Sequence, residues 1–95
     1  MTKEPSIYIV TNHSNTVIYI GVTSDLKKRV WQHQQKIVDG FTKKYNLSKL
    51  VYFESIPTMS DAISREKQLK KWSRAKKKHL IETVNPEYKD LYGSI

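Results

Sequence analysis

Apolar and polar positions along this chain keep a period of two near the N-terminus and then change to a helical period. Ser6 to Thr11 (SIYIVT) and Thr16 to Val22 (TVIYIGV) are rich in β-branched and aromatic residues, and the turn-forming NHSN lies between them. This predicts a β-hairpin with a loop of about four residues. Strand side chains alternate, so Tyr8 and Val10 share one face and Ile7 and Ile9 the other. In the second strand Val17, Tyr19 and Gly21 share a face, opposite Ile18, Ile20 and Val22. A turn symmetric about NHSN sets Tyr8 opposite Tyr19, and a slip of one residue would break that pairing.

Leu26, Val30, His33 and Ile37 then recur at helical spacing. Ser24 is the expected N-cap, Asp25 suits the positive end of the helix dipole, and Gly40 is the expected end. FTKKYNLSK (Phe41 to Lys49) reads as a basic loop, and LVYFES (Leu50 to Ser55) as a third strand that Pro57 stops. Ser60 is expected to cap a second helix running to about Trp72. Ser73 is expected to cap a third, which ends near Val84 because Asn85, ahead of Pro86, avoids the helical region. With no repeat, linker or second domain, residues 1–95 read as one domain with its core at about 5–90. The element order is ββαβαα, an α+β fold in which helices flank a small three-stranded antiparallel sheet. Whether helices cover one face or both is left open.

Composition narrows the partners. Seventeen Lys and Arg against nine Asp and Glu leave a net charge of +8 on 95 residues. That imbalance points to a polyanion, above all nucleic acid. The ten aromatics favour a packed core over disorder. No run of eighteen apolar residues is present, so no membrane partner is expected. MTKEPS lacks the apolar stretch of a signal peptide. The absence of cysteine excludes disulfide-linked partners and thiolate metal sites, and it fits a reducing cytoplasm.

A few side chains stand out against that background. Glycine inside a strand marks a bulge or a close approach, so Gly21 beside Tyr19 predicts a cleft for a ligand. Arg29 and His33 lie four apart on one helix face, flanked by Leu26 and Val30, and an inward guanidinium needs an anion such as phosphate. His33 could be structural, a proton carrier or a phosphate contact. Glu66 sits between Ala62 and Leu69 on the apolar face of the second helix, where a carboxylate needs an ion pair, with Arg29 for example, or a metal. Oxygen ligation suits Mg²⁺ or Mn²⁺. The other acids (Glu4, Asp25, Asp39, Glu54, Asp61, Glu82, Glu87 and Asp90) are scattered, so one ion held by Glu66 is the expected metal content. Residues 65–78 carry eight basic side chains: Arg65, Lys67, Lys70, Lys71, Arg74, Lys76, Lys77 and Lys78. With Lys27, Lys28, Lys43 and Lys44 they form the expected phosphate-tracking surface. Trp72 is assigned to the core rather than to base stacking.

Taken in order, SIY at Ser6 to Tyr8, YIG at Tyr19 to Gly21, Arg29 ten residues after the second tyrosine, His33, REKQLKKW with Glu66, and Asn85 resemble the GIY-YIG nuclease domain, in particular its small stand-alone bacterial members. The resemblance covers about residues 5 to 90. It implies a three-stranded antiparallel sheet with helices and metal-dependent cleavage of DNA. It also implies catalytic roles for Tyr8, Tyr19, Arg29, His33, Glu66 and Asn85, with Glu66 as the metal ligand and Arg29 as the phosphate contact. Two departures are visible. Ser6 stands where the motif has glycine, and Val22 stands where the excision-repair relatives have lysine. The reading is a DNA endonuclease, with a structure-specific repair or recombination role open to it. The alternative is a non-catalytic DNA- or RNA-binding module. Tyr19, with Tyr8 or His33 beside it, is expected to deprotonate a water, helped by Arg29 and the metal lowering a phenol pKa; the alternative is that His33 or metal hydroxide takes the proton.

Overall fold

β1 (Ser6–Thr11) is the centre of the molecule, because both neighbouring strands pair with it. β2 (Ile18–Thr23) and β3 (Lys49–Ser55) flank it antiparallel, giving the order β2-β1-β3. The computed structural model describes residues 4–38 and 40–95, so Asp39 lies outside the described residues. All six residues of β1 are buried, as a strand covered on both faces requires. α1 (Leu26–Gln34) follows β2, α2 (Phe41–Lys44) precedes β3, and α3 (Met59–Lys70) and α4 (Arg74–Val84) follow it. The expected three-stranded α+β sheet is therefore present, with helices on both sides. Ile7, Ile9 and Ile20 pack with Ala62 and Leu69 of α3 and Ile81 of α4. Tyr8 and Val10 pack on the other side with Val30 of α1, Leu47 and Leu50.

The hairpin register differs from the expected one. Tyr8 lies opposite Gly21, and Tyr19 lies opposite Val10. The connection is longer than NHSN because Asn12 folds it: its Oδ1 accepts from the N–H groups of Thr16 and Val17 at 2.9 and 3.1 Å. Asn15 takes a left-handed conformation at φ 59°. The shift is by two residues, so each side chain keeps its predicted face.

Helix ends also move by local chemistry. Asp25 caps α1 in place of Ser24, its Oδ1 accepting from the Lys28 N–H, and Thr23 Oγ1 accepts from the Asp25 N–H. α1 stops at Gln34, well before Gly40. Lys36 turns left-handed at φ 57°, and the Ile37 N–H bonds back to the Gln32 carbonyl at 3.0 Å, a closed C-terminal motif. Ile37 is consequently exposed. Thr58 caps α3 instead of Ser60, and that helix ends at Lys70, short of Trp72. Ser73 caps α4 as expected. The segment expected to be a plain loop contains the single turn α2.

β3 carries a bulge at Val51: Ile9 pairs with Tyr52 and Val10 with Leu50. Val51 and Tyr52 therefore both reach the α3–α4 side, while Leu50 reaches the other. Asn85 serves this irregularity. Its Nδ2 donates to the Val51 carbonyl at 3.0 Å and to the Lys89 carbonyl at 2.9 Å, and its Oδ1 accepts from the Lys89 N–H. The C-terminal Leu91, Tyr92 and Ile95 then close the Tyr8 side of the sheet. Among the described residues no helix is long and apolar enough to cross a membrane.

Candidate active site

The site begins with the absence of a side chain. A Cβ on Gly21 would stand 2.4 Å from Cζ and OH of Tyr8, so only glycine lets the Tyr8 ring lie across β2. The cleft expected at this glycine is thus filled by Tyr8 itself. Tyr8 and Tyr19 are on the same face with ring centroids 6.5 Å apart. α1 lays His33 against both rings, at 5.6 Å from Tyr8 and 6.2 Å from Tyr19.

Tyr8, His33 and Thr42 form a buried hydrogen-bonded chain. The Tyr8 hydroxyl lies 2.9 Å from His33 Nε2, and His33 Nδ1 lies 3.1 Å from Thr42 Oγ1. Burial, and then the Arg29 charge, hold the His33 imidazole down at about 4, so it is neutral at pH 7. Burial, then the Tyr19 phenol, pushes the Tyr8 pKa well above the usual tyrosine value. Arg29 pulls it down and Glu66 raises it further. The expectation was that Arg29 and the metal together lower a phenol pKa, Tyr19 being the first candidate. In Tyr8 the loss of solvent outweighs the Arg29 charge, and the phenol keeps its proton.

The same electrostatics place Glu66 and Arg29 within reach of Tyr8 from opposite elements. Glu66 faces the sheet from α3, mostly covered, between the fully buried Ala62 and Leu69. Its ion-pair partner is Lys70 at 3.4 Å rather than Arg29. Lys70 in turn stands 5.6 Å over the Tyr19 ring. Arg29 lines a cleft of about 300 Å³ with Thr23, Ser24, Asp25, Lys28 and Gln32, and among the described residues no hydrogen bond or ion pair engages its guanidinium. Tyr19, Arg29, His33 and Glu66, far apart in sequence, are thereby gathered around Tyr8.

Asn85 is not part of that gathering. Its amide is committed to the main chain of β3 and the C-terminal segment. Trp72 is half-buried against the core, as assigned, with Lys76 4.2 Å over its ring. Lys27, Lys28, Lys43, Lys44, Lys67, Lys70, Lys71 and Lys76 are exposed, whereas Lys77 and Lys78 are half-buried. Arg74 is exposed but bonds the Thr16 carbonyl of the hairpin loop. Two contributors lie in the segment read as a loop. Thr42 supports His33, and Phe41 stands 6.2 Å from Tyr19 and 4.7 Å from Tyr45, both rings half-exposed. Neither has a periodic signal, since each meets its partner only through tertiary folding.

The residues present suit a single divalent cation. Among the described residues no three His, Asp or Glu side chains converge. Mg²⁺ commonly keeps several waters and takes one or two carboxylates plus substrate phosphate oxygens. Glu66, held by a loose pair to a lysine that substrate could displace, meets that requirement.

Comparison with known proteins gives the family and the fold. The model of the GIY-YIG catalytic domain matches residues 4–79. A UPF0213 protein of Syntrophus aciditrophicus is 39% identical over 75 residues, covering 78% of this chain and 85% of its own. One from Haloquadratum walsbyi is 37% identical over 76 residues, covering 80% and 84%. One from Bacillus pumilus is 30% identical over 87 residues, covering 92% and 89%. The solution NMR structure of a UPF0213 protein from Bacillus halodurans superposes with a TM-score of 0.58 over 92% of each chain, at 24% identity, and shows the same fold. The paired tyrosines on one sheet face, the glycine beneath the first of them and the family match together establish that this chain belongs to the GIY-YIG family, a nuclease-type family acting on nucleic acid.

Proposed function

We propose that this protein is a metal-dependent DNA endonuclease that hydrolyses phosphodiester bonds at the Tyr8–Tyr19–Arg29–His33–Glu66 site. The observation that carries the reading is the convergence on Tyr8: its phenol bonds His33 and feels the charges of both Arg29 and Glu66. A cation, a carboxylate and a proton-handling pair around Tyr8, with Arg29 also lining a cleft, match the needs of phosphoryl displacement.

The roles follow from the chemistry of each group. Glu66 would hold the single Mg²⁺ or Mn²⁺, which supplies Lewis-acid polarisation of the phosphate. Arg29 balances charge that builds on the phosphoryl oxygens. Tyr19 orients the attacking water. Tyr8 cannot act as a free tyrosinate, so it relays: its oxygen takes the proton of the water while its own proton passes to His33 Nε2. The negative phosphodiester offsets the Arg29 repulsion, which adds to burial in keeping His33 neutral in the free protein. Asn85 contributes by fixing β3, and the exposed lysines hold the polyanion. A role in DNA repair or recombination is the physiological context of this reading.

The test is incubation of the protein with supercoiled plasmid and with branched and single-stranded oligonucleotides, in Mn²⁺ and in EDTA. Nicking is expected with Mn²⁺ alone. Glu66→Ala abolishes it while the dissociation constant for DNA, measured in EDTA, stays within about threefold, a change of under ~1 kcal/mol. Nicking by that variant at the wild-type rate would sink the site. Changing Lys76, Lys77 and Lys78 together to Ala weakens binding and reduces the salt slope by about 0.9 for each phosphate left unneutralised. The second reading, a DNA- or RNA-binding module without turnover, is favoured by the single carboxylate at the site. It predicts tight, salt-sensitive binding and intact polynucleotide with every metal.

A further inference from the structure

We propose that Thr42 is a positioning residue of this site: its hydroxyl accepts from His33 Nδ1–H and, together with Tyr8, holds the tautomer whose Nε2 lone pair is turned to Tyr8. Both ring nitrogens of His33 face hydroxyl groups, Tyr8 at 2.9 Å and Thr42 at 3.1 Å, and all three residues are at least nine-tenths buried. A neutral imidazole has one donor and one acceptor, so the two bonds must run in the same direction around the ring. A phenol is a stronger acid than an alcohol. The better arrangement is therefore Tyr8 O–H donating to Nε2, with Nδ1–H donating to Thr42 Oγ1. This is the less common tautomer of a free histidine side chain, so a local partner has to impose it.

The fold delivers that partner. Gly40 turns the chain into α2 at φ 98°, a backbone conformation that L side chains rarely adopt. Leu47, fully buried beneath Val10 and Leu50, ties the other end of the segment, and its N–H bonds the Thr42 carbonyl at 2.9 Å. α2 is thereby held against α1 where Thr42 meets His33. The arrangement is that of a proton-handling histidine oriented by a third group. Its catalytic consequence rests on the nuclease reading; the tautomer itself does not.

The experiment uses the full chain labelled with ¹⁵N, with long-range proton–nitrogen spectra of the imidazoles at pH 7 and His33→Gln to assign His33 among the three histidines. Wild type is expected to show a protonated Nδ1 and a bare Nε2. Thr42→Ser keeps that pattern, and Thr42→Val moves His33 to a mixture of tautomers. In cleavage assays Thr42→Val lowers kcat about 10- to 100-fold with KM little changed, and Thr42→Ser restores it. A wild-type spectrum with the proton on Nε2, or a folded Thr42→Val spectrum identical to wild type, overturns the assignment. If Thr42→Val does not fold, Thr42→Ala takes its place, and a wild-type proton on Nε2 still overturns the assignment. Failure of every form to cleave DNA refutes the nuclease reading, while the spectra judge Thr42 separately.

Discussion

The two faces of the sheet carry the same strand segments into opposite environments. On one side Ile7, Ile9 and Ile20 meet Ala62, Leu69 and Ile81, an aliphatic core in which any well-packed residue of similar volume would serve. On the other, Tyr8 and Tyr19 meet His33, Arg29 and Thr42. The buried polar atoms there are satisfied one by one, and among the described residues none is left without a partner. The first face supplies mainly stability, and α3, which packs on it, contributes a single site group, Glu66. The second gives up some solvation energy to hold a phenol protonated and an imidazole neutral beside a cationic cleft. A chain of 95 residues has little spare core, so it places its polar network directly on the back of its aliphatic one.

Substitutions separate the two faces. Ile9→Ala removes a fully buried side chain from the aliphatic side. It should cost about 2–5 kcal/mol in urea unfolding, with kcat of the folded fraction unchanged. A loss of turnover beyond the folded fraction would mean that the faces are coupled. Gly21→Ala sits on the aromatic side, where the new methyl meets the Tyr8 ring. It should cost about 1–3 kcal/mol, less than Ile9→Ala, yet displace Tyr8 from His33 and reduce cleavage much more. Full activity in a folded Gly21→Ala protein would show that the Tyr8–His33 bond is dispensable.

A pH dependence tests the aromatic side in the unsubstituted protein, with His33→Gln as the control. His33 titrates at about 4 in the fold against 6.5 in its unperturbed state. Between those values the unfolded chain binds a proton that the folded chain refuses. Stability contributed by the neutral ring is therefore present above about 6.5 and is lost as pH falls towards about 4. Urea midpoints measured from pH 7 to 4 should decline more steeply for wild type than for His33→Gln, and parallel curves would remove His33 from this account.

Much of this was legible along the chain, for definite reasons. Period-two alternation assigned Tyr8 and Tyr19 to one face and Ile7, Ile9 and Ile20 to the other, and a register shift by an even number left those faces unchanged. Helical spacing put Arg29 one turn before His33 and set Glu66 between Ala62 and Leu69. These are properties of covalent geometry and backbone period, so a local pattern suffices to specify them. Other features depend on what a group meets after folding. The register came from Asn12 gathering the hairpin loop, and the end of α1 from Lys36 turning left-handed. The Gly21 gap is occupied because a tyrosine from the neighbouring strand lies over it. Whether Arg29 lowers the Tyr8 pKa depends on how much water the surrounding helices exclude, and Asn85 answers a bulge that no spacing announces. Pattern specifies which way a side chain points from its own backbone; distance, solvent exclusion and hydrogen-bond direction are properties of pairs brought together from distant parts of the chain, and only the packed molecule assigns them.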